Sequence, residues 1–82
     1  MQLCRVTGNA VATVKAPALR DFKLVRVTPE GKGGIEFVAV DTLGAGEGDL
    51  VLVAQGTAAR ALEATAGAPT DATVVAILDP QK

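Results

Sequence analysis

The stretch Asp41-Thr-Leu-Gly-Ala-Gly-Glu-Gly-Asp-Leu-Val-Leu-Val-Ala-Gln-Gly-Thr-Ala-Ala-Arg60 decides how this chain is read. A glycine-rich loop (Gly44, Gly46, Gly48) runs directly into an apolar, strand-like segment, Leu50 to Ala54. Gly56 then precedes a short helical pattern starting at Thr57. A phosphate cradle needs the reverse order, with the glycine loop following a strand and opening a helix, so that backbone N–H groups meet the anion. The Lys-Ser/Thr of a nucleotide-binding loop is also missing. The glycines are therefore expected to shape backbone rather than to bind nucleotide.

Working outward, period-two alternation predicts a first strand over residues 3–15, with Cys4, Val6, Gly8, Ala10, Ala12 and Val14 on one face. Gly8 predicts a bulge or sharp bend within it. Further strands are expected over 23–28, 35–41, 50–55 and 72–78, divided by Pro17, Pro29, the loop Glu30–Gly34, and Pro69. Residues 57–66 are the one helical candidate, with Thr57 as N-cap and Gly67 as stop. Five short strands and one helix predict an all-β fold: a small five-stranded OB-like barrel with one short helix, forming one domain over residues 1–82.

A chain of 82 residues is short enough to be marginal alone, and such domains rely on disulfides, metals or association. Cys4 is the only cysteine and histidine is absent, which excludes an internal disulfide and a classical Cys/His zinc site. Oligomerisation is what remains. Cys4 itself reads as a small buried thiol. The core must come from Val, Leu, Ile and Ala, since Phe22 and Phe37 are the only aromatics.

A net charge of −1 gives no basic footprint for nucleic acid. No apolar run approaches the ~20 residues of a membrane span, and no secretory pattern opens the chain. A cytoplasmic setting is expected. Asp41, Glu47, Asp49, Asp71 and Asp79 read as solvated loop charge, because their spacing does not fit a calcium loop. Serine, histidine, tyrosine and tryptophan are all absent, so no nucleophile–base set can be assembled, and no catalytic, cofactor-binding or metal residue is assigned. Lys32 lies in a hairpin-type loop, as a biotinyl or lipoyl lysine would, but glycines replace the motif neighbours.

The fourth and fifth strands are apolar on both faces. Leu50, Leu52 and Ala54 oppose Val51 and Val53; Val74, Ala76 and Leu78 oppose Val75 and Ile77. In a small monomeric barrel one face should be polar. Either the helix and loops cover the second face, or another subunit does. One short helix cannot cover both strands, which favours subunits.

These residues resemble a known family. Met1-x-Leu3-x-x-Val6-x-Gly8-x-x-Val11-Ala12-Thr13-x-Lys15, then Lys23-Leu24-Val25-x-Val27 and Val38-Ala39-Val40-Asp41 open the match. Gly44-Ala45-Gly46-x-Gly48-Asp49-x-Val51-Leu52, Gly56-Thr57-x-Ala59-Arg60, Pro69-x-Asp71-Ala72 and Ile77-x-Asp79 complete it. Together they are similar to the EutN/CcmL family, the pentameric vertex proteins of bacterial microcompartments. The resemblance implies a cyclic homopentamer at the fivefold corners of a polyhedral shell, adjoining hexameric shell proteins in the cytoplasm. It implies a structural role without cofactor, nucleic acid or membrane. It sets Gly44, Ala45, Gly46, Glu47, Gly48 and Asp49 near the fivefold axis or the adjoining subunit contact. Contacts to subunits or shell neighbours are expected at Val51, Val53, Thr57, Arg60, Val75 and Ile77. Many members continue past the point matching Lys82 into a segment that adds inter-subunit packing. An OB-fold nucleic-acid module is the alternative; it would need a basic groove with stacking aromatics.

Overall fold

The computed structural model describes residues 1–13, 15–31 and 33–79. Five strands, β1 (Gln2–Asn9), β2 (Lys23–Pro29), β3 (Phe37–Asp41), β4 (Leu50–Gln55) and β5 (Ala72–Leu78), close into a barrel in the order β1-β2-β3-β5-β4. Every junction is antiparallel except β3–β5, a short parallel contact pairing Val40 with Thr73 and Asp41 with Val74. β4 and β5 keep the boundaries expected from sequence.

Two register shifts bend the sheet into a closed form. One falls between Val6 and Gly8, where a bulge was expected. The other falls between Leu52 and Val53, where Val75 is the extra residue on β5. Bulges increase local twist, as closure requires. At Gly8 the Arg26 guanidinium occupies the space a Cβ would need.

The interior is narrow, and its composition reflects that. Cys4, Val6, Val25, Val27, Val51, Val53 and Val74 fill it with Ala39, Ala45 and Ala72, and Phe37 packs against its edge. No leucine belongs to this cluster. Leu3, Leu24, Leu50 and Leu52 instead alternate with the buried positions and face outward.

Three expectations are corrected. β1 ends at Asn9, and Val11 is 92% exposed. The last ladder bond runs from the Ala10 N–H to the Leu24 carbonyl. Beyond it β2 has only Lys23 left, so alternation alone cannot extend the strand. Val14 lies outside the described residues, as does Lys32. β3 begins at Phe37 rather than Ile35, because its ladder with β2 stops at Val27. Pro29 beyond has no N–H to donate, and its ring packs on Gly34.

The expected helix over 57–66 is instead two 3₁₀ turns, Gly56–Arg60 and Glu63–Thr65. In an α-helix the Ala59 carbonyl would accept the N–H of residue 63. Here it accepts the Thr65 hydroxyl at 2.9 Å and the Thr73 hydroxyl at 2.8 Å. Capture by β5 overrides the alanine-rich local preference. Held this way, the segment covers Ala54 and Thr73, which are 2% and 0% exposed on the outer face.

Candidate assembly surface

The glycine loop is built by two aspartates. Asp41, at the end of β3, is 3% exposed. Its Oδ1 accepts the N–H groups of Leu43 at 2.9 Å and Gly44 at 3.2 Å, and its Oδ2 accepts that of Ala45 at 2.7 Å. Lys23 lies opposite in the β2–β3 register, 3.7 Å from Oδ2, and donates to the Ala45 carbonyl at 2.6 Å. Asp49 closes the far end, its Oδ2 accepting the Gly46 N–H at 2.8 Å. Gly44 and Gly48 take φ values of 86° and 91°, a region other residues enter at a cost.

This geometry corrects two readings. Asp41 is no solvated loop charge; it organises three backbone donors. Ala45, expected at an axis or subunit contact, is fully buried and belongs to the barrel's own core, plugging its mouth. Gly44, Glu47 and Gly48 are exposed, and Gly46 and Asp49 half-buried. The loop is anchored to β1 as well. The Arg5 guanidinium donates to the Gly48 carbonyl at 3.1 Å and pairs with Glu30 at 3.0 Å.

The strands carry the second feature. Val51 and Val53, expected as contacts, are fully buried inside the chain's own barrel, so they reach no neighbour. Both faces of β4 are apolar, and parity alone did not say which turns in. The outward face is Leu50 and Leu52, half-buried. Leu3 lies opposite Leu52 on β1, and Ala76 and Leu78 lie opposite Leu52 and Leu50 on β5. Directly opposed residues share a face. The result is a continuous aliphatic surface across β1, β4 and β5, with Leu3 39% exposed. The 56–65 segment covers only its Ala54–Thr73 end. Cover from within the chain thus explains part of the second apolar face and leaves the rest open.

Val75 is half-buried at the bulge. Ile77 pairs with Val51 on the inner face, where β3 no longer borders β5, and is 41% exposed. Thr57 is exposed. Arg60 donates to the Thr70 carbonyl at 2.9 Å and lines an open groove of ≈ 570 Å³ with residues 67–71. Neither aromatic is offered for stacking: Phe37 packs on the core, and Phe22 is half-buried. Cys4 is buried within the barrel, and burial, with the nearby Glu30 charge second, raises its thiol pKa.

Residues 1–79 match the family described as ethanolamine utilisation protein EutN/carboxysome. The chain belongs to the EutN/CcmL family. It is 39% identical to the carboxysome shell vertex protein CcmL of a Nostoc species, over 96% of this chain and 83% of that one. On the solved structure of Nostoc CcmL it superimposes with a TM-score of 0.87, covering 96% of this chain and 88% of that one. It is 42% identical to the bacterial microcompartment shell vertex protein PduN of Salmonella typhimurium, over 96% of both chains. The GrpN pentameric microcompartment shell protein from Rhodospirillum rubrum superimposes with a TM-score of 0.83 at 37% identity, over 96% of this chain and 94% of that one. These family members are shell components by name, not enzymes.

Sequence reasoning missed Asp41, Lys23 and the outward leucines. For Asp41 the signal was present: an aspartate followed by a glycine turn is placed to bond backbone N–H groups two to four residues on. For the leucines, the Val-x-Val alternation of β2 could have fixed the type of residue inside.

Proposed function

We propose that this chain is a shell vertex protein: a homopentamer that closes the fivefold corners of a polyhedral bacterial microcompartment in the cytoplasm and abuts hexameric shell proteins. The observation that carries the reading is the open aliphatic face of Leu3, Leu50, Leu52, Ala76 and Leu78 on a barrel of the vertex-protein family. Fully burying one leucine side chain is worth ~1.5–3 kcal/mol. Covering what these four leucines still expose, roughly one side chain's worth in all, therefore supplies about 1–4 kcal/mol per copy towards a subunit contact.

The mechanism is geometric. A layer of hexagonal units stays flat, and pentagonal units give it curvature and closure. The barrel's own interior is filled and its mouth is plugged by Ala45, so the working parts are outer surfaces. The exposed rim of the glycine loop, Gly44 and Gly46 to Asp49, is proposed to approach the fivefold axis or the adjoining subunit. Glu47 facing the axis would set a ring of negative charge there. Thr57, Arg60, Val75 and Ile77 are proposed as contacts to subunits or shell neighbours.

Gly46 supplies a discriminating test. Its φ lies outside the glycine-favouring region, and a Cβ there would meet only Asp49 Oδ2, at 3.9 Å. The isolated chain therefore tolerates a side chain at this position. By native mass spectrometry the wild type is expected as a five-subunit species, and Gly46→Val as smaller species with unchanged circular dichroism. A monomeric wild type would overturn the vertex reading. Intact Gly46→Val pentamers would remove the loop from the contact.

A further inference from the structure

We infer that Arg5 couples the loop between β2 and β3, residues 30–36, to the glycine loop, so that releasing one loosens the other. The coupling lies within a single chain and does not rest on the vertex reading. If that reading holds, it joins the loop proposed at the ring contact to a second exposed loop.

Arg5 lies on the outward row of β1, opposite Thr28 on β2 and Leu50 on β4. Both loops are stitched to β1 on either side of it. The Glu30 N–H donates to the Leu3 carbonyl at 2.9 Å. The Gly48 N–H donates to the Val6 carbonyl at 2.8 Å, and the Val6 N–H to the Asp49 carbonyl at 2.9 Å. The Arg5 guanidinium spans these attachments. Its Nη1 donates to the Gly48 carbonyl at 3.1 Å, and its Nη2 lies 3.0 Å from Glu30 Oε2. A guanidinium is a rigid planar fork, so fixing one nitrogen orients the other. The Glu30 pair therefore places the donor that Gly48 accepts. Without that pair the arginine regains rotamer freedom, and the bond to Gly48 is populated less.

The same geometry confines the effect to the two loops. The Arg5 and Glu30 side chains are 42% and 39% exposed, so their pair is weak and opens without unfolding the barrel. The far end of the β2–β3 loop is held separately. Glu36 accepts the hydroxyl of Thr7, two residues on from Arg5, at 2.6 Å, and lies 3.9 Å from Arg26. Losing the Glu30 contact thus frees one end of that loop and leaves the other in place. The two-state element is the Arg5 side chain, bridging or free. A coupling claim needs such an element, biased from both ends. Access to it is open, since residues 30, 31 and 33–36 are exposed and anything contacting them competes for Glu30. On the other side three amides report the state of the glycine loop. Gly46 donates to Asp49 Oδ2, Gly48 to Val6, and Asp49 to the Gly46 carbonyl.

The test is hydrogen exchange on the intact chain at one protein concentration, comparing wild type with Glu30→Gln, Arg5→Lys and the double variant. Glu30→Gln is expected to speed exchange at Gly46, Gly48 and Asp49 roughly two- to fivefold, the range an exposed pair supports. Core amides of β2 and β4 should keep their wild-type rates. Arg5→Lys is expected to speed the same three amides, because an ammonium is a point charge without the fork. The double variant should be no faster than Arg5→Lys alone. Coupling is reciprocal, so Gly48→Ala is expected to speed exchange at the Glu30 amide, and to lose that effect in the Arg5→Lys background. If Arg5→Lys loosens the glycine loop and Glu30→Gln leaves it at wild-type rates, Arg5 acts on that loop alone and the inference fails. It fails equally if the core amides speed up in step with the loop, or if Gly48→Ala leaves Glu30 unchanged. Native mass spectrometry of the wild type decides the vertex reading separately.

Discussion

Replacing Asp41 with alanine removes three hydrogen bonds to backbone donors and one ion pair from the glycine loop. The three donors do not suffer equally. Leu43 and Gly44 are exposed, so water replaces the lost acceptor at little net cost. Ala45 is fully buried, and its N–H is left unpaired, at about 1–3 kcal/mol. The Lys23 pair adds at most ~1 kcal/mol, because the lysine side chain is 40% exposed. The sum is about 3 kcal/mol. For a domain of this size each kcal/mol moves Tm by roughly 4–8 °C, so a drop of about 12–24 °C is expected. Urea unfolding at one fixed protein concentration is the assay, since assembly makes apparent stability concentration-dependent. Hydrogen exchange at Leu43, Gly44 and Ala45 localises the effect, and all three amides should lose protection. Asp41→Asn keeps one acceptor oxygen and should cost about half as much. An alanine variant within ~0.5 kcal/mol of wild type, with loop protection intact, would refute the claim that Asp41 organises the loop.

Three other outcomes are expected from the same structure. Val51→Ala should destabilise the chain by about 2–3 kcal/mol through lost burial and a cavity, whereas Leu52→Ala should weaken assembly more than the fold; paired unfolding and native-mass measurements separate them. Gly8→Ala places a methyl where the Arg26 guanidinium lies, loosening its bond to the Asn9 carbonyl and its pairing with Glu36; a loss of about 1 kcal/mol on chemical denaturation is expected. Cys4 should resist iodoacetamide at neutral pH until the chain unfolds. Its pKa is raised in the folded state, so the fold holds the thiol proton more tightly than the unfolded chain does. That contribution is complete below the ordinary thiol pKa and is lost as pH rises through the folded value. Relative to Cys4→Ala, wild-type stability should therefore fall on the alkaline side only.

Strand content was legible because period two survives wherever one face is buried. β4 and β5 were bounded correctly by glycine and proline on either side. Alternation misled at β1, since it reports a chain's capacity to pair and not whether a partner strand extends far enough. It was also silent about the sense of β4, where leucine and valine alternate and either could face in. The barrel settles this by size. Five strands enclose a bore that compact β-branched side chains fill, and the longer leucines go outside. Residues 57–66 failed for a different reason. The hydroxyls that hold the Ala59 carbonyl come from Thr65 and from Thr73, the latter on a strand 14 residues away. No local pattern carries that second contact.

The valine interior and leucine exterior also bear on why this chain would assemble at all. A polar outer face would have made a stable lone barrel and left nothing to hold a neighbour. Moving the larger aliphatic side chains outward creates a liability for the monomer, since exposed apolar patches invite indiscriminate contact. Closure into a ring removes that liability only if a complementary surface sits at a fixed angle on the same chain. Because the β3–β5 junction pairs only at Val40 and Asp41, it leaves the Phe37–Ala39 edge without a strand neighbour on that side among the described residues. It also ends β3 at the aspartate that folds the glycine loop over the barrel mouth. A longer β3–β5 ladder would extend strand cover over the β3 edge. The same local break in the sheet thus leaves one strand edge open and lies beside the aspartate that holds the core-plugging loop.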